Sequence, residues 1–227
     1  VLLFLLFSVG VKAQYWIPLN YQPDKKPLVT HSDGLHYYAC YEDGFTKFGK
    51  IIRISKWDGL VWQRATPLVL DSNASINAMC VFKGELYLGG DFYLPNITAI
   101  QNLIKLSENK WGRIKPGASF NNRHDKILTL ASDDNGVYIG GEFDTIDKTS
   151  YKNMFFYNGE KLSSLGGFGA NGKVSSLEFL DGVLYATGSF SEIDEVNSKG
   201  IAYYKSGKWL EIGNGSVLNT EQVVSFK

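Results

Sequence analysis

Cysteine is nearly absent from this 227-residue sequence, which holds only Cys40 and Cys80. That scarcity excludes a small secreted scaffold stapled by disulfides, so the core has to hold itself together. Both cysteines lie in apolar, strand-like runs, where an oxidising compartment permits a Cys40–Cys80 bridge and buried free thiols are equally natural. Net charge is missing too, with 23 Lys and Arg against 23 Asp and Glu. No long-range field exists to hold a polyanion, which argues against nucleic acid as a partner. The three histidines, His31, His36 and His124, form no spaced metal-ligating pair, and P-loop, Ser/His/Asp and Cys-x-x-Cys patterns are absent. No cofactor is expected. Runs of Ala, Leu, Glu and Lys at helical spacing are lacking, and no stretch is long enough to span a bilayer as a helix.

What the chain does have is glycine, 24 residues, and aromatics, 14% of the total. That pairing favours short strands joined by tight turns and an all-β class. The first residues stand apart. Val1 to Val11 is an apolar run too short to span a bilayer, and Val11-Lys12-Ala13 precedes Gln14, which reads as an export signal over residues 1–13 with cleavage after Ala13. Its initiator Met and basic leading segment are not present, so the signal reads as truncated at its start. A secreted or cell-surface location is expected.

The main signal is an internal repeat. Leu86-Tyr87-Leu88-Gly89-Gly90-Asp91-Phe92 recurs as Val137-Tyr138-Ile139-Gly140-Gly141-Glu142-Phe143 and again as Leu184-Tyr185-Ala186-Thr187-Gly188-Ser189-Phe190; from Phe92 to Phe143 to Phe190 the steps are 51 and 47 residues. Tryptophans keep the same beat at Trp16, Trp62, Trp111 and Trp209, with Leu162 where the third repeat would place one. Each repeat divides into four strand-sized runs, a to d, and the spacing predicts repeats over about 28–64, 75–114, 126–165 and 174–213. Lys83-Gly84, Asp181-Gly182 and Ser206-Gly207 read as two-residue hairpin turns, and Asn158-Gly159 as another. The glycine pairs in strand b read as places where a bulky neighbour, expected to be a strand-d tryptophan, approaches the sheet. No helix follows them, so a phosphate cradle is disfavoured.

A four-stranded antiparallel meander at this period is how a propeller blade is built, and the expected fold is an incomplete β-propeller occupying residues 14–227. The repeats resemble those of kelch-like and galactose-oxidase-type propellers. They are closer still to the extracellular L-Y-x-G-G-x-F … W-D-G-x-x-W repeats of secreted bacterial surface proteins and fungal cortical-marker ectodomains. The resemblance runs from Trp16 to the C-terminus, with departures at Ala39-Cys40, where a Gly pair is due, and at Leu162. Trp16 reads as an orphan strand d, and residues 223–227 as strand a of a further blade. Four complete blades are expected, in a ring of five or more when whole, six or seven being the expected number.

Connectivity puts the a–b and c–d turns on one face and every long b–c and d–a loop on the other. Binding side chains concentrate on loops carried by a rigid scaffold, so the long-loop rim is the expected site. Its candidates are Tyr21, Tyr93, Asn96, Phe120, Arg123, His124, Tyr151, Phe168 and Asp194, aromatics beside amides and charges of the sort that hold a glycan or a protein. Two carboxylate pairs, Asp144 with Asp147 and Asp194 with Glu195, are weighed for acid–base or calcium chemistry and read instead as solvated loop charges. The sequence thus favours a binding module over an oxidase or lyase with groups in other blades, and over a structural spacer. Asn73-Ala74-Ser75, Asn96-Ile97-Thr98 and Asn214-Gly215-Ser216 match the N-glycosylation sequon, which has meaning only in a eukaryotic secretory pathway.

Overall fold

The computed structural model describes residues 26–94, 101–114, 120, 124–146 and 148–212, together with the backbone of Phe4–Leu6 and Trp16–Pro18. Tyr21, Asn96, Arg123 and the candidate strand at 223–227 lie outside the described residues. Those described contain strands and no α-helix. Four antiparallel sheets follow one another along the chain, each a four-strand meander. Strands a to d are Val29–Ser32, Tyr37–Thr46, Gly49–Trp57 and Trp62–Arg64 in the first sheet. In the second they are Ser75–Phe82, Glu85–Tyr93, Gln101–Ser107 and Lys110–Gly112. In the third they are Lys126–Ser132, Val137–Glu142, Met154–Tyr157 and Leu162–Ser163. In the fourth they are Val174–Leu180, Val183–Gly188, Ile201–Lys205 and Lys208–Glu211. These bounds follow the repeat. A further strand, Leu68–Leu70, pairs with strand c of the first sheet, while Phe4–Leu6 and Trp16–Pro18 pair with each other.

Turn chemistry fixes the meanders. Lys83-Gly84, Asp181-Gly182 and Ser206-Gly207 all have positive φ at both residues, the conformation whose twist suits a two-residue hairpin. Glu108-Asn109 does the same without a glycine. The expected two-residue turn at Asn158-Gly159 is instead a four-residue loop, because the Asn158 Oδ1 accepts the amides of Glu160 and Lys161 at 2.9 and 2.7 Å. An Asx cap supplies there the closure that a second positive-φ residue supplies elsewhere. Asp33, Asp58 and Asp133 cap equivalent four-residue loops.

The glycine pairs have two different causes. In the second, third and fourth sheets the a–b register jumps at one equivalent place, between Ile76 and Ala78, Ile127 and Thr129, and Val174 and Ser176. This β-bulge carries a strand-a carbonyl, of Ser75, Lys126 or Lys173, to where a Cβ on Gly90, Gly141 or Gly188 would overlap it. The preceding glycine faces the next sheet. A Cβ on Gly89 would overlap Ile127, and one on Gly140 would sit 2.8 Å from Val174 Cγ1. Close packing is therefore the reason for the pair, but the neighbour is a β-branched residue of the following strand a, not a strand-d tryptophan.

Three cores lie between successive sheets. Cys40, Ile52, Ile54, Leu88 and Phe92 fill the first, Phe82, Tyr87, Ile127, Phe143 and Phe155 the second, and Met154, Val174, Leu177, Phe190 and Trp209 the third. Cys40 and Cys80 are both buried and free, so no bridge joins them. Burial pushes both thiols up to about 12.

Polar seams run along both edges of these cores. On the inner side, Asn77 Nδ2 donates to Ile127 O and Ser132 Oγ to Val81 O, each at 2.8 Å, and Thr129 Oγ1 accepts from Leu177 N at 2.9 Å. On the outer side, Trp111 Nε1 donates to Thr66 O at 2.8 Å and Trp209 Nε1 to Leu165 O at 2.9 Å, each reaching the residue just past strand d of the preceding sheet. The third sheet has Leu162 in place of the tryptophan. Its Tyr157, from strand c, sets its hydroxyl 2.6 Å from both Ile114 O and Gly159 O of its own turn, one proton shared between the two carbonyls, and so supplies the latch from a neighbouring strand.

Three substitutions test this reading of the bulge and the seams. Gly141→Ala is expected to cost roughly 1–3 kcal/mol in urea unfolding, as overpacking against a fixed carbonyl does, whereas Gly112→Ala, which meets nothing within 4 Å, should stay within about 0.5 kcal/mol of the parent. Tyr157→Phe, which strands a buried carbonyl, should lose about 1–3 kcal/mol in the same assay.

Candidate functional site

The long-loop rim is built from interlocked connections. Two small hairpins form the b–c loops of the third and fourth sheets, Thr145–Ile146 with Thr149–Ser150 and Glu192–Ile193 with Val196–Asn197. Each is bridged to the d–a loop before its sheet, Phe120 to Ile146 and Ala170 to Ile193. Asparagines hold these loops to the sheets. Asn102 and Asn153, 51 residues apart, both adopt left-handed backbone, with φ of 64° and 69°. Their Oδ1 atoms accept from Phe92 N and Phe143 N at 3.0 Å, and their Nδ2 atoms donate to Asp125 O and Ala170 O at 2.6 and 2.9 Å. Asparagine suits the position because it tolerates this backbone and offers both a donor and an acceptor. The fourth sheet has Gly200 there, at φ 87°. The 51-residue spacing of the two asparagines was readable in the sequence, yet nothing local distinguishes them from ordinary loop asparagines.

The candidate rim residues divide sharply. Phe120 and Tyr151 are buried, at 7% and 9% exposure, in an aromatic cluster with Phe143 and Phe155. They are core plugs under the rim and not part of a binding surface, a correction to their expected exposure. Asp194 is half-buried, and its Oδ1 accepts from Gly167 N and Phe168 N at 2.6 and 2.7 Å. Its carboxylate is thereby committed to shaping the d–a loop. Glu195 is exposed beside it, both residues having positive φ in the hairpin turn. Asp144 is exposed, and its carbonyl accepts from Tyr151 N and Lys152 N; Asp147 lies outside the described residues. His124, Tyr93 and Phe168 are exposed, and Tyr93 is anchored through its amide, which donates to Asp71 Oδ2 at 2.9 Å.

Burial reveals what the sequence reading left out. The exposed aromatic rings among the described residues are Phe45, Phe48, Tyr93 and Phe168, at 62, 53, 53 and 62% exposure. All four fall at strand-b ends or in b–c and d–a connections, so all are on the long-loop rim. Phe45 and Phe48 belong to the first sheet's b–c hairpin, whose strands are 10 and 9 residues long.

On the opposite face the exposed large hydrophobic side chains among the described residues are aliphatic, among them Leu35, Leu60 and Val61. There the ends of strand a from three sheets meet around a cavity of about 540 Å³, lined by His31, Ser32, Asp33, Val81, Phe82, Lys83, Ser132, Asp133 and Asp134. Its two turn aspartates are already occupied. Asp33 accepts from two backbone amides, from the His36 ring and from the Tyr38 hydroxyl. Asp133 accepts from Asn135 N, Gly136 N, Asn135 Nδ2 and the Tyr138 hydroxyl. Burial works to raise the Asp33 carboxyl, but these donors outweigh it and hold the group at about 2. Burial likewise lowers the His31 imidazole, against the pull of Asp33. Among the described residues no group of three His, Cys, Asp or Glu is placed to hold a metal ion.

No protein-family model matches the chain, and comparison with curated proteins returns no match.

Because the folded carboxyl of Asp33 is depressed, its contribution to stability is complete above the ordinary carboxylate range, about pH 4, and disappears as pH falls toward 2. The stability difference between the parent and Asp33→Asn, followed by urea unfolding at stepped pH, should therefore be constant near neutrality and close between about pH 4 and 2.

Proposed function

We propose that the chain is part of an exported β-propeller of the kelch-like kind that serves as a binding module, taking a glycan or protein ligand on its long-loop rim. The observation carrying this reading is the segregation of exposed aromatic rings, with Phe45, Phe48, Tyr93 and Phe168 all on that rim. Exposed rings on rigidly braced loops supply stacking area at low ordering cost. The propeller reading is supported by sheets that stack in chain order with a core in each gap, and by inner strands tied edge to edge through Asn77, Thr129 and Ser132. Export rests on the apolar leader at residues 1–13. Binding is favoured over catalysis because Asp194, one member of the weighed carboxylate pairs, spends its Oδ1 on backbone amides.

A glycan and peptide array probed with the full chain is expected to give ligands whose binding falls by roughly tenfold or more in Tyr93→Ala or Phe168→Ala, the loss of one anchoring ring. The same ligands should be indifferent to Leu60→Ser on the opposite face. Signals untouched by both rim variants would count against the rim.

A further inference from the structure

We propose that the Phe45–Phe48 hairpin tip is a lipid-docking element that seats this rim against the interface of a membrane. The proposal rests on the rim reading only in placing the tip on the long-loop side; it adds a partner of different chemistry. Both rings are more than half exposed, an unusual state for two phenylalanines separated by two residues. As phenylalanines on one hairpin tip they offer apolar area side by side, with no hydroxyl of the kind Tyr93 presents.

Much of the backbone beneath the rings is paired. Strands b and c pair through Phe45 with Lys50 and Thr46 with Gly49. Thr46 Oγ1 accepts from Phe48 N at 3.1 Å and donates to Gly49 O at 3.3 Å. Burial in a low-dielectric medium is costly mainly for unpaired backbone groups, so a tip closed on itself can enter an interface that an open loop cannot. The stem is neutralised as well, since Lys50 pairs with Glu42 and Arg53 with Asp43. The remaining charge at the turn is Lys47, whose ammonium lies 4.9 Å from the Phe48 ring centroid. A lysine on a flexible stem beside an aromatic ring can place its ammonium at the headgroups while the ring goes below.

Net neutrality of the chain excludes attraction through a long-range field, and this sets the expected signature. Docking should be driven by the rings, nearly independent of salt, and only slightly stronger on anionic lipid. The full chain is mixed with phosphatidylcholine vesicles, with or without phosphatidylserine, and sedimented at low and high salt. Co-sedimentation with both vesicle types is expected, and Phe45→Ser/Phe48→Ser should lower the partition roughly tenfold or more through lost apolar burial. Its urea midpoint should match the parent because both rings are exposed in the fold. Phe48→Cys labelled with a polarity-sensitive dye should shift to the blue on vesicle addition, the native thiols being buried.

Vesicle binding unchanged in the double variant, confined to anionic lipid and abolished by salt, or absent altogether would overturn the proposal, as would a dye at Phe48→Cys that stays in a polar environment. Tyr93→Ala and Phe168→Ala separate the two readings. They should weaken the array ligands roughly tenfold or more and leave vesicle partition intact, whereas failure of the tip alone leaves the array result standing.

Discussion

Everything in this molecule depends on how closely one sheet can approach the next at the bulge in strand a. The bulge pushes a carbonyl into the space under strand b, and the following sheet presses Ile127 or Val174 into the gap beside it. Both intrusions occupy volume that any side chain would claim, so the glycine pair is the condition for the inter-sheet cores to close at ordinary packing density. With the sheets that near, side chains such as Asn77 and Ser132 reach main-chain carbonyls of the neighbouring strand. The polar seams are thus consequences of the close approach as much as contributors to it.

The outer latch shows how such a scaffold tolerates sequence drift. What the structure has past strand d of the first three sheets is a donor at a particular carbonyl, and an indole of strand d or a phenol of strand c can meet it. Tyr157 does so in the sheet whose tryptophan position is Leu162. A net hydrogen bond of this kind is worth only about 1 kcal/mol, yet a buried carbonyl left without a partner costs more. The donor is retained while the residue that carries it changes.

The rim inherits its rigidity from the same arrangement. Asn102 and Asn153 clamp strand b to the next d–a loop, Asp194 fastens the loop carrying Phe168, and Phe120 and Tyr151 fill the space beneath. Much of what looked like a ligand-contacting set is therefore the masonry of the loops. The exposed surface on this side of the described residues is narrower and more apolar, with rings at the b–c connections of the first and second sheets and on the d–a connection before the fourth. In the cavity on the other face, Asp33 and Asp133 are spent on turn amides and tyrosine hydroxyls.

By itself the sequence determined strands, period and most turns, while the loop at Asn158-Gly159 departs from the two-residue turn expected there. Alternation, positive-φ pairs such as Asp181-Gly182 and the recurrence of Gly-Gly at fixed steps act within a few residues, where side-chain geometry and backbone sterics decide the outcome without help. Tertiary structure alone decided which side of a sheet meets which neighbour. Whether Phe120 is a rim ring or a core plug, which residue fills the space beside Gly89, and whether Asp194 faces solvent or amides depend on a sheet some fifty residues away. Phe45 and Phe48 escaped the sequence reading for the same reason, since exposure is set by what a partner sheet fails to cover, and a chain pattern records only its own alternation.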